Sequence, residues 1–139
     1  MLCFCVASAD TTAIVLLLPG QQDTENYTFP YMKDFISKLI YDLPLESNQY
    51  RLALVQYNDD DHEDFELDAY KTKKHMLMHV QEMQALQGGP LKTGNALRYI
   101  YERYFEEPVN GADRNQVLVV LSSLPSEDDV EESAKMLRD

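Results

Sequence analysis

The chain is 139 residues long, which suffices for one domain with a substantial hydrophobic core. Hydrophobic residues make up 45% of the sequence and charged residues 26%, a globular composition that argues against disorder. The 24 acidic and 12 basic residues give a net charge of -12. Such a charge disfavours binding to nucleic acid or to anionic membranes, because both need clustered Lys and Arg. No apolar run approaches the roughly 20 residues of a membrane-spanning helix, so we expect no membrane insertion.

The first nine residues are apolar and contain both cysteines, Cys3 and Cys5. They end in Ala7-Ser8-Ala9, a small-residue pattern typical of signal cleavage, but they lack a positively charged start. We interpret residues 1–9 as an atypical or truncated signal segment, or else as a disordered N-terminus. Cysteines two residues apart favour neither a loop-closing disulfide nor a complete metal site.

The following residues alternate between predicted strands and helices. Ala13–Leu18 is apolar throughout, which predicts a strand buried on both faces. Apolar residues at helical spacing predict a helix from Thr28 to about Leu43, with Thr28 as its cap and Pro44 as its stop. Tyr50–Tyr57 is the second predicted strand. Asp64–Asp68 alternates like a half-exposed edge strand, and the short polar turn before it makes the two strands a hairpin.

The second half of the chain repeats the alternation. A second helix is predicted to begin at Thr72 or Lys73. A third helix follows a break at Gly88-Gly89-Pro90 and carries apolar and aromatic residues as far as Phe105. Gln116–Leu121 is a fourth, buried strand. Ser126 and Asp129 have the spacing of a capping box, which predicts a last helix after them.

Four sequence blocks, in this order, resemble the von Willebrand factor A domain family, and more narrowly the A-domains of type VI collagen alpha chains in the alpha-3-like group. They are Arg51–Tyr57, Gly88–Leu97 with its Gly-Gly-x-x-x-Thr-Gly-x-Ala-Leu pattern, Gln116–Leu121, and Asp128-Asp129-Val130. The resemblance implies an α/β, doubly wound (Rossmann-like), mostly parallel sheet with one antiparallel edge strand.

The family's signature is a metal-ion-dependent adhesion site: Asp-x-Ser-x-Ser after the first strand, a Thr before the third helix, and an Asp after the fourth strand. By position, Pro19, Gln21 and Asp23 stand at the first motif, Thr93 at the Thr, and Ser123 at the last Asp. Both metal-orienting Asp positions are replaced, and Mg²⁺ usually takes at least one carboxylate. We therefore expect a degenerate site without metal, with Thr93 capping the third helix. The alternative is a rearranged site that uses Asp23 and Gln21.

The resemblance also implies two strands and a helix beyond Asp139. We therefore expect residues 10–139 to be an incomplete domain that lacks the last two strands: a fragment, a splice form or a degenerate copy. The fourth strand, Gln116–Leu121, would then have a bare, apolar edge. We expect self-association through that edge, because unpaired strand edges invite pairing with other chains.

Two further clusters are candidate ion sites. The acidic run Asp59–Asp64 contains carboxylates that Ca²⁺ prefers, but it lacks the spacing of an EF-hand loop, so a solvated hairpin tip is favoured. His75 and His79 have the i, i+4 spacing of zinc ligands, yet no third ligand is indicated, so surface histidines are favoured.

The resemblance implies a secreted, non-catalytic interaction module of the extracellular matrix that needs no cofactor. Its expected partners are extracellular matrix proteins or other collagen chains. The alternative function is a divalent-metal-dependent adhesion domain that uses the rearranged site. An enzyme of the receiver type would need acidic residues at the strand ends, where Pro19 and Ser123 stand. Asn26 opens a glycosylation sequon, which is consistent with secretion.

Overall fold

The computed structural model describes residues 2–6, 12–20, 28–45, 49–67, 69–70, 72–86, 90–105, 115–122 and 126–138. Five strands and four α-helices occur in these ranges, and a single π-helical turn, Tyr101–Phe105, extends the third helix. The elements in chain order are β1 (Leu2–Val6), β2 (Thr12–Pro19), α1 (Thr28–Asp42), β3 (Tyr50–Tyr57), β4 (Asp61–Phe65), α2 (Lys73–Glu82), α3 (Thr93–Ile100), β5 (Asn115–Val120) and α4 (Glu131–Arg138).

The strands form one sheet in the order β1-β5-β2-β3-β4. The central strand β2 runs parallel to both β3 and β5, whereas β4 is antiparallel to β3 at one edge. The predicted doubly wound, mostly parallel sheet with an antiparallel edge strand is therefore confirmed. The difference from the prediction lies at the opposite edge, which β1 occupies.

Strand β1 covers the edge that the sequence analysis left bare. It pairs antiparallel with β5, from Leu2 opposite Val120 to Val6 opposite Gln116. The predicted bare edge on Gln116–Leu121 is thus wrong, and self-association through that edge loses its basis. The cause is a pairing between residues more than 100 positions apart, which no local pattern reveals. Residues 2–6 form a strand rather than a disordered N-terminus, while their role as a signal segment stays a prediction.

Two apolar layers cover the two faces of the sheet. Alternate residues of β2 serve both layers: Val15 and Leu17 lie in the layer with α3 and α4, and Leu16 and Leu18 in the layer with α1 and α2. This confirms that β2 is buried on both faces. Burial of each such side chain stabilises the fold by about 1.5–3 kcal/mol.

The second strand of the β3–β4 hairpin begins earlier than predicted. Strand β4 starts at Asp61, within the expected polar turn, and ends at Phe65. Leu54 lies opposite Phe65 and Val55 opposite Glu63, so Asp64 is the extra residue of a β-bulge. As a result, Asp64 and Phe65 both turn toward α2, where Phe65 joins the core.

The described helices are short relative to a bilayer. None of those within the described ranges is long and apolar enough to cross a membrane.

Candidate functional site

The carboxyl ends of β2, β3 and β5 meet at one edge of the sheet, where ligand sites of doubly wound folds lie. Pro19 ends β2 opposite Tyr57 of β3, and the N–H of Gly20 donates to the Tyr57 carbonyl at 2.8 Å. Pro19 is buried, and its side chain carries no oxygen or nitrogen that could bind a metal. Gly20 fits under Leu86 because it has no side chain: a Cβ atom at this position would lie only 2.8 Å from the Leu86 side chain.

Thr93 lies at the same edge, but its hydroxyl group does not cap α3. Lys92 is the N-cap residue of α3 and makes no side-chain capping bond. The Thr93 hydroxyl is instead hydrogen-bonded to the Tyr57 hydroxyl at 2.9 Å. The predicted capping role of Thr93 is therefore wrong. Tyr57 is only 1% exposed, and this burial raises the pKa of its phenol.

The N-terminus of α3 is capped from a distant loop by Asp128. One carboxylate oxygen accepts the N–H of Gly94 at 2.7 Å, and the other accepts the N–H of Asn95 at 2.8 Å. The Ser126 hydroxyl donates to the same carboxylate at 2.7 Å. Burial alone raises the pKa of Asp128, but the hydrogen bonds from Ser126, Gly94 and Asn95 outweigh it and hold the pKa below its usual value.

The predicted capping box of the last helix is also wrong. Ser126 bonds to Asp128, as described above, rather than to the first turn of α4. Asp129 accepts the N–H of Glu131 at 3.0 Å, so Asp129 supplies a side-chain bond to that helix start. Gly94 is required at the α3–loop contact, because a Cβ atom there would overlap the carbonyl oxygen of Asp129.

The polar side chains in the described part of this edge have partners within the protein. The Pro19 side chain has no ligand atom, and the Thr93 hydroxyl and both Asp128 oxygens are held by internal hydrogen bonds. Across the described ranges, no group of three or more His, Cys, Asp or Glu side chains could hold a metal ion. The remaining predicted site residues lie outside the described residues: Gln21, Asp23, Asn26 and Ser123.

The acidic run of the β3–β4 hairpin divides between solvent and sheet. Asp59 and Asp60 are exposed, and the N–H of Asp60 donates to the Asn58 side chain at 2.8 Å. Asp61 is half-buried, and burial, with a smaller contribution from the Asp60 charge, raises its pKa to about 6. One oxygen of Asp61 is buried and has no hydrogen-bond partner among the described residues. The favoured solvated hairpin tip is therefore confirmed for Asp59 and Asp60, whereas Asp61–Asp64 belong to strand β4.

The two helical histidines have separate partners. His79 Nε2 lies 3.3 Å from an oxygen of Asp64, while its Nδ1 bonds to the Tyr70 hydroxyl at 2.9 Å. His75 bonds to the Thr72 hydroxyl, which also accepts the N–H of His75 and so begins α2 at the predicted position. The β-bulge brings Asp64 to His79, and the sequence gives no sign of this contact because the bulge depends on the strand register.

The fold and this strand-end edge define a von Willebrand factor A-type domain. The family model for the von Willebrand factor type A domain matches residues 13–139, and the chain belongs to this family. The recognition made from the sequence blocks is therefore confirmed.

Similar proteins include chains of collagen VI. The collagen alpha-6(VI) chain of Mus musculus is 43% identical over 147 residues, covering 100% of this chain and 6% of the relative. The collagen alpha-5(VI) chain of Homo sapiens is 42% identical, covering 90% of this chain and 5% of the relative. The chain therefore spans only 5% to 6% of the length of these two relatives. Matrilin-1 of Gallus gallus is 28% identical. These relationships place the chain among secreted extracellular matrix proteins, as predicted.

A solved structure supports the fold alone. Proximal thread matrix protein 1 from the mussel byssus, described with a zinc-occupied MIDAS motif, superposes with a TM-score of 0.75 at 21% identity. The superposition covers 91% of this chain and 35% of that protein.

Proposed function

We propose that this domain is a non-catalytic interaction module of an extracellular matrix protein, with matrix proteins or other collagen chains as its partners. Recognition would use the shape and charge of its surface, without a bridging metal ion. The similarity to collagen VI chains and to matrilin-1 supports the class of partner.

The observation that carries the metal-independent proposal is that Thr93 and Asp128, at the described part of the strand-end edge, are held by hydrogen bonds within the protein. A metal-dependent adhesion domain needs ligand oxygens that face solvent at this edge, so that the ion can also bind the partner's carboxylate. Here the Thr93 hydroxyl faces Tyr57, and the Asp128 carboxylate is consumed in capping α3. The Pro19 side chain has no ligand atom to replace them. The degenerate site predicted at Pro19, Gln21, Asp23, Thr93 and Ser123 thus forms part of this proposal.

Calorimetry with Mg²⁺ and Mn²⁺ tests the proposal directly. We expect no saturable heat with either ion, and we expect binding to immobilised type VI collagen that is equal in EDTA and in Mg²⁺. Saturable binding that is lost in Asp23→Ala would instead support the metal-dependent alternative. The double variant Pro19→Asp with Ser123→Asp returns carboxylates to both replaced positions and serves as the matched positive control.

The sequon at Asn26 adds a proposal about modification. We propose that Asn26 carries an N-linked glycan when the chain is secreted from animal cells. Mass spectrometry before and after peptide-N-glycosidase treatment tests this, with Asn26→Gln as the control. An unchanged mass would refute the modification and leave the proposed interaction function intact.

A further inference from the structure

Helix α1 exposes large aromatic side chains on its outer face. Tyr31 is 74% exposed, Tyr41 is 73% exposed and Phe35 is 38% exposed. The opposite face of α1 packs on the sheet through Met32, Ile36 and Ile40. Tyrosine is enriched at binding hot spots, because it buries a large rigid area at a low cost in side-chain entropy.

Four exposed residues of α1 are placed symmetrically about the position of Ile36. Tyr31 and Tyr41 lie five residues before and after it, and Asp34 and Lys38 lie two residues before and after it. At 3.6 residues per turn, these four positions fall along one stripe, near i, i+3, i+7 and i+10. Reversing the helix direction therefore places aromatic on aromatic and acid on base.

The charged pair at the centre of the stripe is exposed and can also contact a second helix. The Lys38 ammonium lies 3.0 Å from the Asp34 carboxylate within α1, and the two side chains are 74% and 63% exposed. Each group keeps room for another partner. An antiparallel second copy would complete a ring of two carboxylates and two ammonium groups across the symmetry axis.

Tyr41 is partly fixed in place before any contact forms. The Lys73 ammonium of α2 donates to the Tyr41 carbonyl at 2.6 Å and lies 5.9 Å from the centre of its ring. This contact anchors the C-terminal turn of α1 to α2. A pre-ordered aromatic residue loses less freedom when a partner binds.

We infer that the outer face of α1 pairs antiparallel with the same face of a second copy of this chain. The two-fold axis crosses the outer face at the level of Ile36 along the helix. Such an interface is isologous: Tyr31 contacts Tyr41 of the second copy, and Asp34 contacts its Lys38. One helix face is a small contact, so the dimer is weak and concentration-dependent. In a matrix that presents many copies, avidity would strengthen it. The inference rests on the proposed function, because it names one protein partner of the module.

Sedimentation of the 139-residue chain over a concentration series tests the pairing through charge reversal. Lys38→Asp places carboxylates against carboxylates, and Asp34→Lys places ammonium groups against ammonium groups. Each variant alone should weaken dimerisation at least tenfold. An equimolar mixture of the two should associate, because every cross-axis contact is then between opposite charges. Thermal melting of each variant by circular dichroism controls for folding.

A photo-crosslinking amino acid at position 31 reports the direction of pairing. We expect intermolecular crosslinks to the helical turn around Tyr41, and crosslinks to the turn around Tyr31 would indicate parallel pairing and overturn the inference. A chain that stays monomeric at all concentrations, or a mixture of charge variants that does not associate, would also overturn it. Metal-independent binding to type VI collagen would still stand in these cases, so the two proposals fail separately.

Discussion

The cap that Asp128 places on α3 gives the most direct test of how this edge is held together. Asp128→Ala removes the acceptor of two backbone N–H groups, at 2.7 and 2.8 Å, and of the Ser126 hydroxyl at 2.7 Å. A hydrogen bond to a charged group contributes about 1.5–3 kcal/mol, and loss of a helix cap costs about 0.5–2 kcal/mol. These contributions overlap and the carboxylate is partly exposed, so we expect a loss of about 2–3 kcal/mol in the free energy of unfolding.

Urea unfolding followed by far-ultraviolet circular dichroism measures this loss, since the chain contains no tryptophan. Asp129→Ala is the matched control: Asp129 is the next residue, is exposed, and makes one side-chain bond of 3.0 Å. Its loss should cost about 0.5 kcal/mol. Asp128→Asn should fall between the two, because its amide oxygen accepts only part of what the carboxylate accepts.

The pH dependence of the same variants supplies a second criterion. The folded pKa of Asp128 is lowered, so its charge stabilises the fold above the unfolded pKa of about 3.9 and ceases to do so as the pH falls through the folded value. The difference between wild type and Asp128→Asn should therefore shrink in acid. If Asp128→Ala costs no more than Asp129→Ala at neutral pH, the proposed cap does not stabilise α3 and the reasoning is wrong.

Three further substitutions should change the free energy of unfolding: the first should raise it and the other two should lower it. Asp61→Asn should stabilise the fold by about 1 kcal/mol at pH 7, after discounting for exposure, because the folded pKa of Asp61 is raised to about 6. In urea titrations across pH, that advantage should vanish between about pH 6 and pH 4 as wild-type Asp61 takes up its proton; an advantage that persists at pH 4 would contradict the assignment. Tyr57→Phe should cost about 1 kcal/mol, and a double-mutant cycle with Thr93→Val should return a similar coupling energy, whereas a coupling near zero would deny their hydrogen bond. Gly94→Ala should cost more than about 2 kcal/mol in the same assay, because its Cβ would overlap a loop carbonyl, and a neutral result would refute that close approach.

Several elements follow from local sequence pattern because their physics is local. The predicted second strand and the observed β3 have the same bounds, Tyr50–Tyr57. Helix α1 was predicted within one residue of its observed end, since its apolar stripe can be buried on only one face and Pro44 cannot continue it. Thr72 begins α2 as predicted, through a bond to a residue three positions away.

The strand-end edge could be predicted only in part. Pro19 stands at the end of β2, and residue identity alone shows that its side chain offers no oxygen or nitrogen there. The hydrogen-bond partner of Thr93 could not be predicted in this way. Tyr57 is 36 residues away and reaches Thr93 only once β3 lies beside α3. A tyrosine that ends a buried strand was the available signal, since its hydroxyl group must find a partner at that edge.

By itself, the sequence determined four of the five strands, the four helices, the burial of β2 on both faces, and the family. These follow from periodicity, residue chemistry and motif order. Only the tertiary structure decided that β1 covers β5, that a bulge turns Asp64 toward His79, and that Asp128 caps α3. Each of these contacts joins residues distant in the chain, and each depends on a strand register or loop path that is set when the whole domain packs.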